Sequence, residues 1–300
     1  MKIGLDIGGS HIAIGIVNDD NKLLQKYEKD IKIGESKNPG EYLLDNIILL
    51  IKDVFGKIDK NKVDLIGLAC PGNIQDGKVI SAANLNIKNL EIVKKIENEF
   101  NIKTIVRNDG KCAALAEKNV GAMKNYKNAC FLILGTGVGG AVFLDGEMIL
   151  PKKESGFEIG HMVIDINGEK CTCGRTGCFE TLCSMRKFKR DIIEKLQLSS
   201  DITGIEIRKL LEDKNIYNLV EDVINVFLYN LSIGLANIVR MFKPEVICIG
   251  GSFTHYEDML LSKLKEELKR EVTLFSSNDL PKILMATLKN DAGIIGATII

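Results

Sequence analysis

Residues 131–144 read FLILGTGVGGAVFL, and residues 3–17 read IGLDIGGSHIAIGIV. Each is an apolar strand that meets a glycine-rich turn and re-enters a strand. Asp19-Asp20-Asn21 closes the first unit and Asp145-Gly146 the second. Glycine lets the backbone turn sharply and bring its N–H groups against an anion, where a Cβ would obstruct the approach. One short glycine motif carries little weight, and the first fragment by itself also reads as a plain hairpin whose aspartate helps the turn. Two turns of the same build read as an internal repeat, each half offering a cradle for phosphate. Asp6, at the end of the first strand, is then placed to orient Mg²⁺ or its waters.

Working outward, Pro39-Gly40 opens a helix whose Leu44, Ile47, Ile48, Ile51, Val54 and Phe55 recur at helical spacing. Val63–Ala69 reads as a buried strand ending at Pro71-Gly72, followed by a loop to Asn84-Leu85. Ile102–Val106 is a short strand that ends at Asn108-Asp109 and leads into a helix over Cys112–Val120. Strands alternating with helices predict α/β layers with ligands at the strand C-terminal ends, where Asp6 and Asp109 both fall. Helices follow at Met185–Leu196, Glu206–Glu212, Glu221–Phe242 and Asp258–Arg270. A strand over Glu245–Ile249 runs into Gly250-Gly251, and the tail DAGIIGATII reads as a small-residue helix that packs tightly. The expected lobes are 1–117, with 286–300 packing back on it, and 118–285.

The chain has 300 residues, with 40 basic and 40 acidic side chains. That length suffices for two lobes with real cores. The charge balance offers no basic field for nucleic acid or an anionic membrane. The longest uncharged run, Val223 to Val239, contains Asn225, Asn230, Ser232 and Asn237, which suits a buried helix better than a membrane span. Asp6 interrupts any signal-peptide core at the N-terminus, so the expected compartment is the cytoplasm. There thiols stay reduced, and clustered cysteines are metal ligands more often than disulfides. Cys70, Cys112, Cys130, Cys183 and Cys248 sit in apolar surroundings and read as small core hydrophobes.

The stretch 158–180, EIGHMVIDINGEKCTCGRTGCFE, gathers His161, Cys171, Cys173 and Cys178. A C-x-C disulfide would be strained, whereas three thiolates and one imidazole make the closed tetrahedral set of a structural zinc. Gly174 and Gly177 let the chain wrap so that Cys178 meets the same ion. A saturated site leaves no open position for chemistry, so this zinc shapes a pocket. Glu158 and Glu180 flank it as acceptors suited to polyol hydroxyls, or else are surface carboxylates.

Asp109 has two readings. Phosphoryl transfer to an alcohol needs a carboxylate that orients the attacking hydroxyl and accepts its proton late. An aspartate at a strand end can equally cap the helix that follows.

Taken together, LDIGGSH at 5–11, PG at 71–72, AANL at 82–85, ND at 108–109, LGTGVGG at 134–140, EIGH at 158–161 and CTCGRTGCFE at 171–180 resemble the ROK family. These are the bacterial sugar kinases and sugar-responsive repressors of the actin/hexokinase/Hsp70 ATPase superfamily. The resemblance runs essentially end to end, and its zinc signature is the most specific part. It implies a two-lobed actin-like ATPase (ribonuclease H-like) α/β fold with a duplicated βββαβα core. It also implies an ATP-dependent hexose kinase using Mg²⁺ and a structural Zn²⁺, self-associated as a homodimer or homotetramer. By resemblance Asp109 is the base, and Asn84, Asn108, Asp109, Glu158, His161 and Glu180 contact the sugar, His161 while also binding zinc. Asp6, Gly8, Gly9 and Ser10, with Gly135, Thr136 and Gly137, flank the ATP phosphates and their Mg²⁺, and Gly250 and Gly251 lie near the adenosine. Ser10 departs from the commoner Thr, His11 from Lys, and Lys111-Cys112 from small or amide residues.

Relatives with these motifs use glucose, mannose, allose, fructose or N-acetylhexosamines, so the motifs name glucose only as the commonest substrate. ATP and polyphosphate both remain as donors. A repressor of the family needs a helix-turn-helix ahead of the first glycine turn, which here follows the opening residues at once. With zero net charge, the expectation is no nucleic-acid binding. A non-catalytic, zinc-stabilised sugar-binding protein is the third reading and predicts no turnover.

Overall fold

Two five-stranded sheets of the same strand order carry the fold. The computed structural model describes residues 1–150, 156–274 and 279–300. The chain divides into two compact units, one of Met1–Lys124, Leu150–Phe157 and Thr287–Ile300, the other of Asn125–Ile149 and Glu158–Ala286.

In the first unit, β1 (Lys2–Ile7), β2 (His11–Val17) and β3 (Leu23–Asp30) form an antiparallel meander. Helix α1 (Pro39–Phe55) leads to β4 (Leu65–Cys70), which is parallel to β1 and buried along its whole length. A small antiparallel sheet follows, of β5 (Asn73–Gln75), β6 (Lys78–Ala82) and β7 (Ile87–Leu90). The expected plain loop from 71 to 85 is therefore a hairpin and a return strand. Asp76 and Gly77 both have positive φ and make its two-residue turn. Then α2 (Ile92–Phe100), β8 (Thr104–Asn108) and α3 (Asp109–Asn119) complete the run, with β8 parallel to β4. The strand order is β3-β2-β1-β4-β8.

A row of glycines crosses this sheet: Gly15 pairs with Gly4, and Gly4 with Gly67. The C-terminal helix, Ala292–Ala297, lies against them. A Cβ on Gly4 would stand 2.0 Å from the Ile294 carbonyl oxygen, and one on Gly67 1.9 Å from that of Ala297. Gly296 makes the same close approach to α3, where a Cβ would meet the Cys112 carbonyl oxygen at 1.7 Å. The tail is thus the tightly packed small-residue helix that its composition predicts. Glu117 of α3 is fully buried. Its carboxylate accepts from the backbone N–H groups of Ala122, Thr287 and Leu288 and from the Thr287 hydroxyl. It therefore holds both the segment by which the chain leaves this unit and the one by which it returns.

In the second unit, β9 (Ala129–Leu134), β10 (Val138–Leu144) and β11 (Glu147–Met148) repeat the meander. The metal-ligand stretch leads into α4 (Phe179–Cys183) and α5 (Met185–Leu196), followed by α6 (Gly204–Leu210) and α7 (Lys214–Leu219). Helix α6 starts two residues earlier than its apolar spacing predicts, because Thr203 and Glu206 form a capping box. Helix α8 (Glu221–Phe242), β12 (Val246–Gly250), α9 (Glu257–Glu271) and β13 (Lys282–Met285) finish the unit, in the sheet order β11-β10-β9-β12-β13. Numbered within each unit, both sheets run 3-2-1-4-5: this is the duplicated core. Helix α8 is the one helix among the described residues long and apolar enough to cross a membrane. Its Phe227, Leu231 and Leu235 are instead buried in the core of this unit.

Candidate active site

The first glycine turn, Gly8–Ser10, joins β1 to β2 and is closed by the Gly8 N–H donating to the His11 carbonyl at 2.9 Å. A Cβ on Gly9 would lie 3.8 Å from the Asn84 carbonyl oxygen, so the exposed Asn84, in a 3₁₀ turn after β6, borders this turn. Asp6 precedes it, with its carboxylate against the bare Cα of Gly293; a Cβ there would come within 2.5 Å. Burial pushes the Asp6 carboxyl up to about 6, and the charge of Asp109 adds to the rise, while His11 and Lys26 oppose it. Asp109 is raised above the ordinary carboxylate range, chiefly by burial, although the Gly110 N–H donates to its Oδ1 at 2.8 Å and favours the charged form.

Of the two readings of Asp109, the capping one does not hold: the N-cap of α3 is Asn108, one residue earlier. Asn108 accepts from the Lys111 N–H at 3.2 Å, and its amide donates to the Gly72 carbonyl at 3.2 Å. Helix α3 therefore starts at Asp109, not at Cys112, and its N-cap is Asn108, while the aspartate accepts from the adjacent Gly110 N–H. Asn108 thereby ties the Pro71-Gly72 turn to the helix start. Gly72 has φ +104°, and a Cβ there would strike the Ser81 carbonyl at 2.2 Å, so this turn requires glycine. Within this unit, then, Asp6, the first glycine turn, Asn84, Asn108 and Asp109 gather at one end of the sheet. Cys70 lies in the same neighbourhood, its buried thiol pushed up to about 12 with Asp109 and Asp6 contributing. It and Cys112, Cys130, Cys183 and Cys248 are all buried, as their apolar surroundings predict.

In the second unit, Gly135–Gly137 join β9 to β10 with the same three-residue length, closed by the Gly135 N–H donating to the Gly137 carbonyl at 3.0 Å. Gly251, at the end of β12, has φ +76°, and a Cβ there would stand 2.4 Å from the Leu134 carbonyl oxygen. The Gly250-Gly251 pair is thus brought beside this turn. Glu158 is exposed and precedes the 3₁₀ turn Ile159–His161. Glu180 is engaged within this unit: its Oε2 accepts from the Val138 N–H at 2.9 Å.

His161, Cys171, Cys173 and Cys178 converge, with their ligand atoms all within 4.8 Å of one another. Cys171 Sγ is 3.6 Å from His161 Nδ1, and Cys173 Sγ is 3.6 Å from Cys178 Sγ. A tetrahedron at zinc–ligand bond lengths places ligand atoms about 3.5–3.8 Å apart. The donor set and its spacing therefore fit zinc. Gly174 and Gly177 both take positive φ, and at Gly177 a Cβ would overlap the Asp165 carbonyl oxygen at 1.4 Å. The loop is tethered to α5 by Arg190, which donates to both carboxylate oxygens of Glu169 at 2.5 and 2.7 Å. Spacing along the chain does not reveal this ion pair, since nothing local links the two residues.

Comparison with known proteins gives the family and the fold. The ROK family model matches residues 2–300. A glucokinase from Halalkalibacterium halodurans is 31% identical, over 98% of this chain and 92% of its own. A xylose repressor from Bacillus subtilis is 28% identical over 98% of this chain and 75% of its own. The crystal structure of a ROK hexokinase from Thermus thermophilus superposes with a TM-score of 0.80 at 26% identity, covering 98% of this chain and 95% of that one. The fold is the actin-like ATPase fold of the solved ROK sugar kinases.

Proposed function

This chain belongs to the ROK family, and we propose that it is an ATP-dependent hexose kinase of that family, phosphorylating the 6-OH of glucose. The observation that carries the reading is Asp109: a buried carboxyl at the end of β8, raised in pKa, with Asn108 and not Asp109 as the N-cap of α3. Such a group can hold a sugar hydroxyl by a hydrogen bond and take its proton as the phosphoryl group arrives. Kinship with the glucokinase and the Thermus hexokinase supports the substrate class.

Asn84, Asn108, Glu158, His161 and Glu180 are assigned to the sugar. Backbone N–H groups of Gly8–Ser10 and Gly135–Gly137 would receive the nucleotide phosphates, Gly250-Gly251 would lie near the adenosine, and Asp6 would orient Mg²⁺. The divalent ion supplies charge neutralisation of the transferring phosphate. His161, Cys171, Cys173 and Cys178 would hold zinc as a closed structural ion that orders the loop bearing Glu158, His161 and Glu180. We assign the protein to the cytoplasm as a homodimer.

Kinship with the xylose repressor supports a second reading, a sugar-responsive regulator. A coupled assay over glucose, mannose, allose, fructose and N-acetylhexosamines, with ATP and polyphosphate as donors, separates the two. The kinase reading expects sugar phosphate with at least one pair, lost in Asp109→Asn while sugar binding survives. No turnover with any pair, together with sugar-dependent operator binding in a mobility-shift assay, would establish the regulator instead.

A further inference from the structure

The Val138 N–H is the first donor after the second glycine turn, and the Glu180 carboxylate takes it at 2.9 Å. The other end of the turn is also fixed from the same segment, by the Arg186 N–H donating to the Gly135 carbonyl at 3.3 Å. The Gly135 N–H is used within the turn. Among the described residues, the N–H groups of Thr136 and Gly137 have no acceptor in the protein. The turn is open at its start: nothing stands within 4 Å of a Cβ built on Gly135. Two donors are thus left free by a turn whose ends are both committed.

A carboxylate beside an anion cradle opposes anion binding through its charge. Its placement makes sense if its work is mechanical, holding the peptide after the turn so that the two free N–H groups keep their direction. The fit is close: a Cβ on Gly137 would stand 2.2 Å from Glu180 Oε2. Glu180 lies two residues after Cys178, so the order of the metal loop reaches the turn through it.

We propose that Glu180 is a positioning residue of the nucleotide site: its carboxylate sets the Gly135–Gly137 turn to receive phosphate, independently of any contact with sugar. This rests on reading that turn as a phosphate cradle. The test is titration of the full-length, zinc-loaded protein with mant-ADP and Mg²⁺ in the absence of sugar, with melting temperature and zinc content measured on every variant. A charge-assisted hydrogen bond lost without replacement predicts roughly tenfold weaker binding for Glu180→Ala. Glu180→Gln, which keeps an acceptor, should fall between Ala and wild type, with melting temperature and zinc content unchanged. Gly137→Ala should weaken binding by pushing the carboxylate away, and adding it to Glu180→Ala should cost little more, because the clash is already gone.

If wild type binds mant-ADP and Glu180→Ala or Glu180→Gln binds it equally tightly, the role of Glu180 falls while the cradle stands. If wild type binds no nucleotide, the cradle reading falls and takes the proposal with it. Affinity lost only in step with zinc and melting temperature would make Glu180 structural and overturn the proposal.

Discussion

Asp6 and Asp109 share one buried end of the first sheet, and burial first, then the charge of Asp109, raises the pKa of Asp6. Burial moves the Asp6 carboxyl furthest, to about 6, and the neighbouring charge of Asp109 is the second cause. Two acids thus lie in one poorly solvated neighbourhood, where ionising one makes the other harder to ionise.

The pH profile of turnover follows from Asp109. A base must be ionised, and its carboxyl sits above the ordinary range. We expect kcat/KM to fall as pH drops through that raised pKa, at a higher pH than for a solvent-exposed aspartate, and Asp109→Asn to abolish the activity. A flat acid limb in a rate profile would remove Asp109 as the base.

Stability should show the opposite dependence at Asp6. A folded-state pKa raised from 3.8 to about 6 stabilises the fold fully below the unfolded value and loses that contribution as pH rises through 6. At pH 8 the buried charge is a cost, so Asp6→Asn should stabilise the nucleotide-free protein by on the order of 2 kcal/mol. The gain should shrink towards pH 4. Melting curves at the two pH values, without Mg²⁺, check this.

Gly296→Ala should be severely destabilising. The added methyl would lie 1.7 Å from the Cys112 carbonyl oxygen, which belongs to backbone and can yield only by moving α3. A loss of about 1–3 kcal/mol or more is expected, read from denaturant unfolding. Gly34→Ala is the control, since nothing stands within 4 Å of a Cβ there.

Glu117→Gln should cost about 2–4 kcal/mol. The carboxylate accepts from Ala122, Thr287 and Leu288 N–H groups and the Thr287 hydroxyl. An amide offers one acceptor oxygen and turns an NH₂ towards donors. Equilibrium unfolding should show the loss, and hydrogen exchange should rise at Ala122 and Leu288.

Removing the metal should be felt as lost stability. Chelation, or Cys173→Ser, is expected to lower the melting temperature by on the order of 5 °C and to weaken sugar binding with it. Demonstrated zinc loss with stability and activity intact would end the structural assignment.

Much of this was legible along the chain because its signals are local. Each glycine turn sits between strands whose apolar patterns point to it, and the four metal ligands lie within eighteen residues. Asp76-Gly77 is a hairpin signal of the same local kind, and it marks the β5–β6 turn. The capping of α3 is harder, because Asn108 and Asp109 are adjacent and equally able to cap; only the Lys111 and Gly72 contacts decide between them. What stays hidden is long-range. Glu117 meets Leu288 across 171 residues and Glu180 meets Val138 across 42, and neither partner leaves a trace in spacing or composition.

The glycine row under the C-terminal helix has a consequence for synthesis on the ribosome. Gly4 and the Ile294 that covers it are made about 290 residues apart, on the order of 15–60 s at usual elongation rates. Until then the glycine row of the sheet built first is uncovered, and Glu117 lacks its partners at Thr287 and Leu288. Residues 125–286 are complete before that face is covered. The unit that starts first in the chain finishes last, and the glycines of β1, β2 and β4 wait for the C-terminal helix until the end of synthesis.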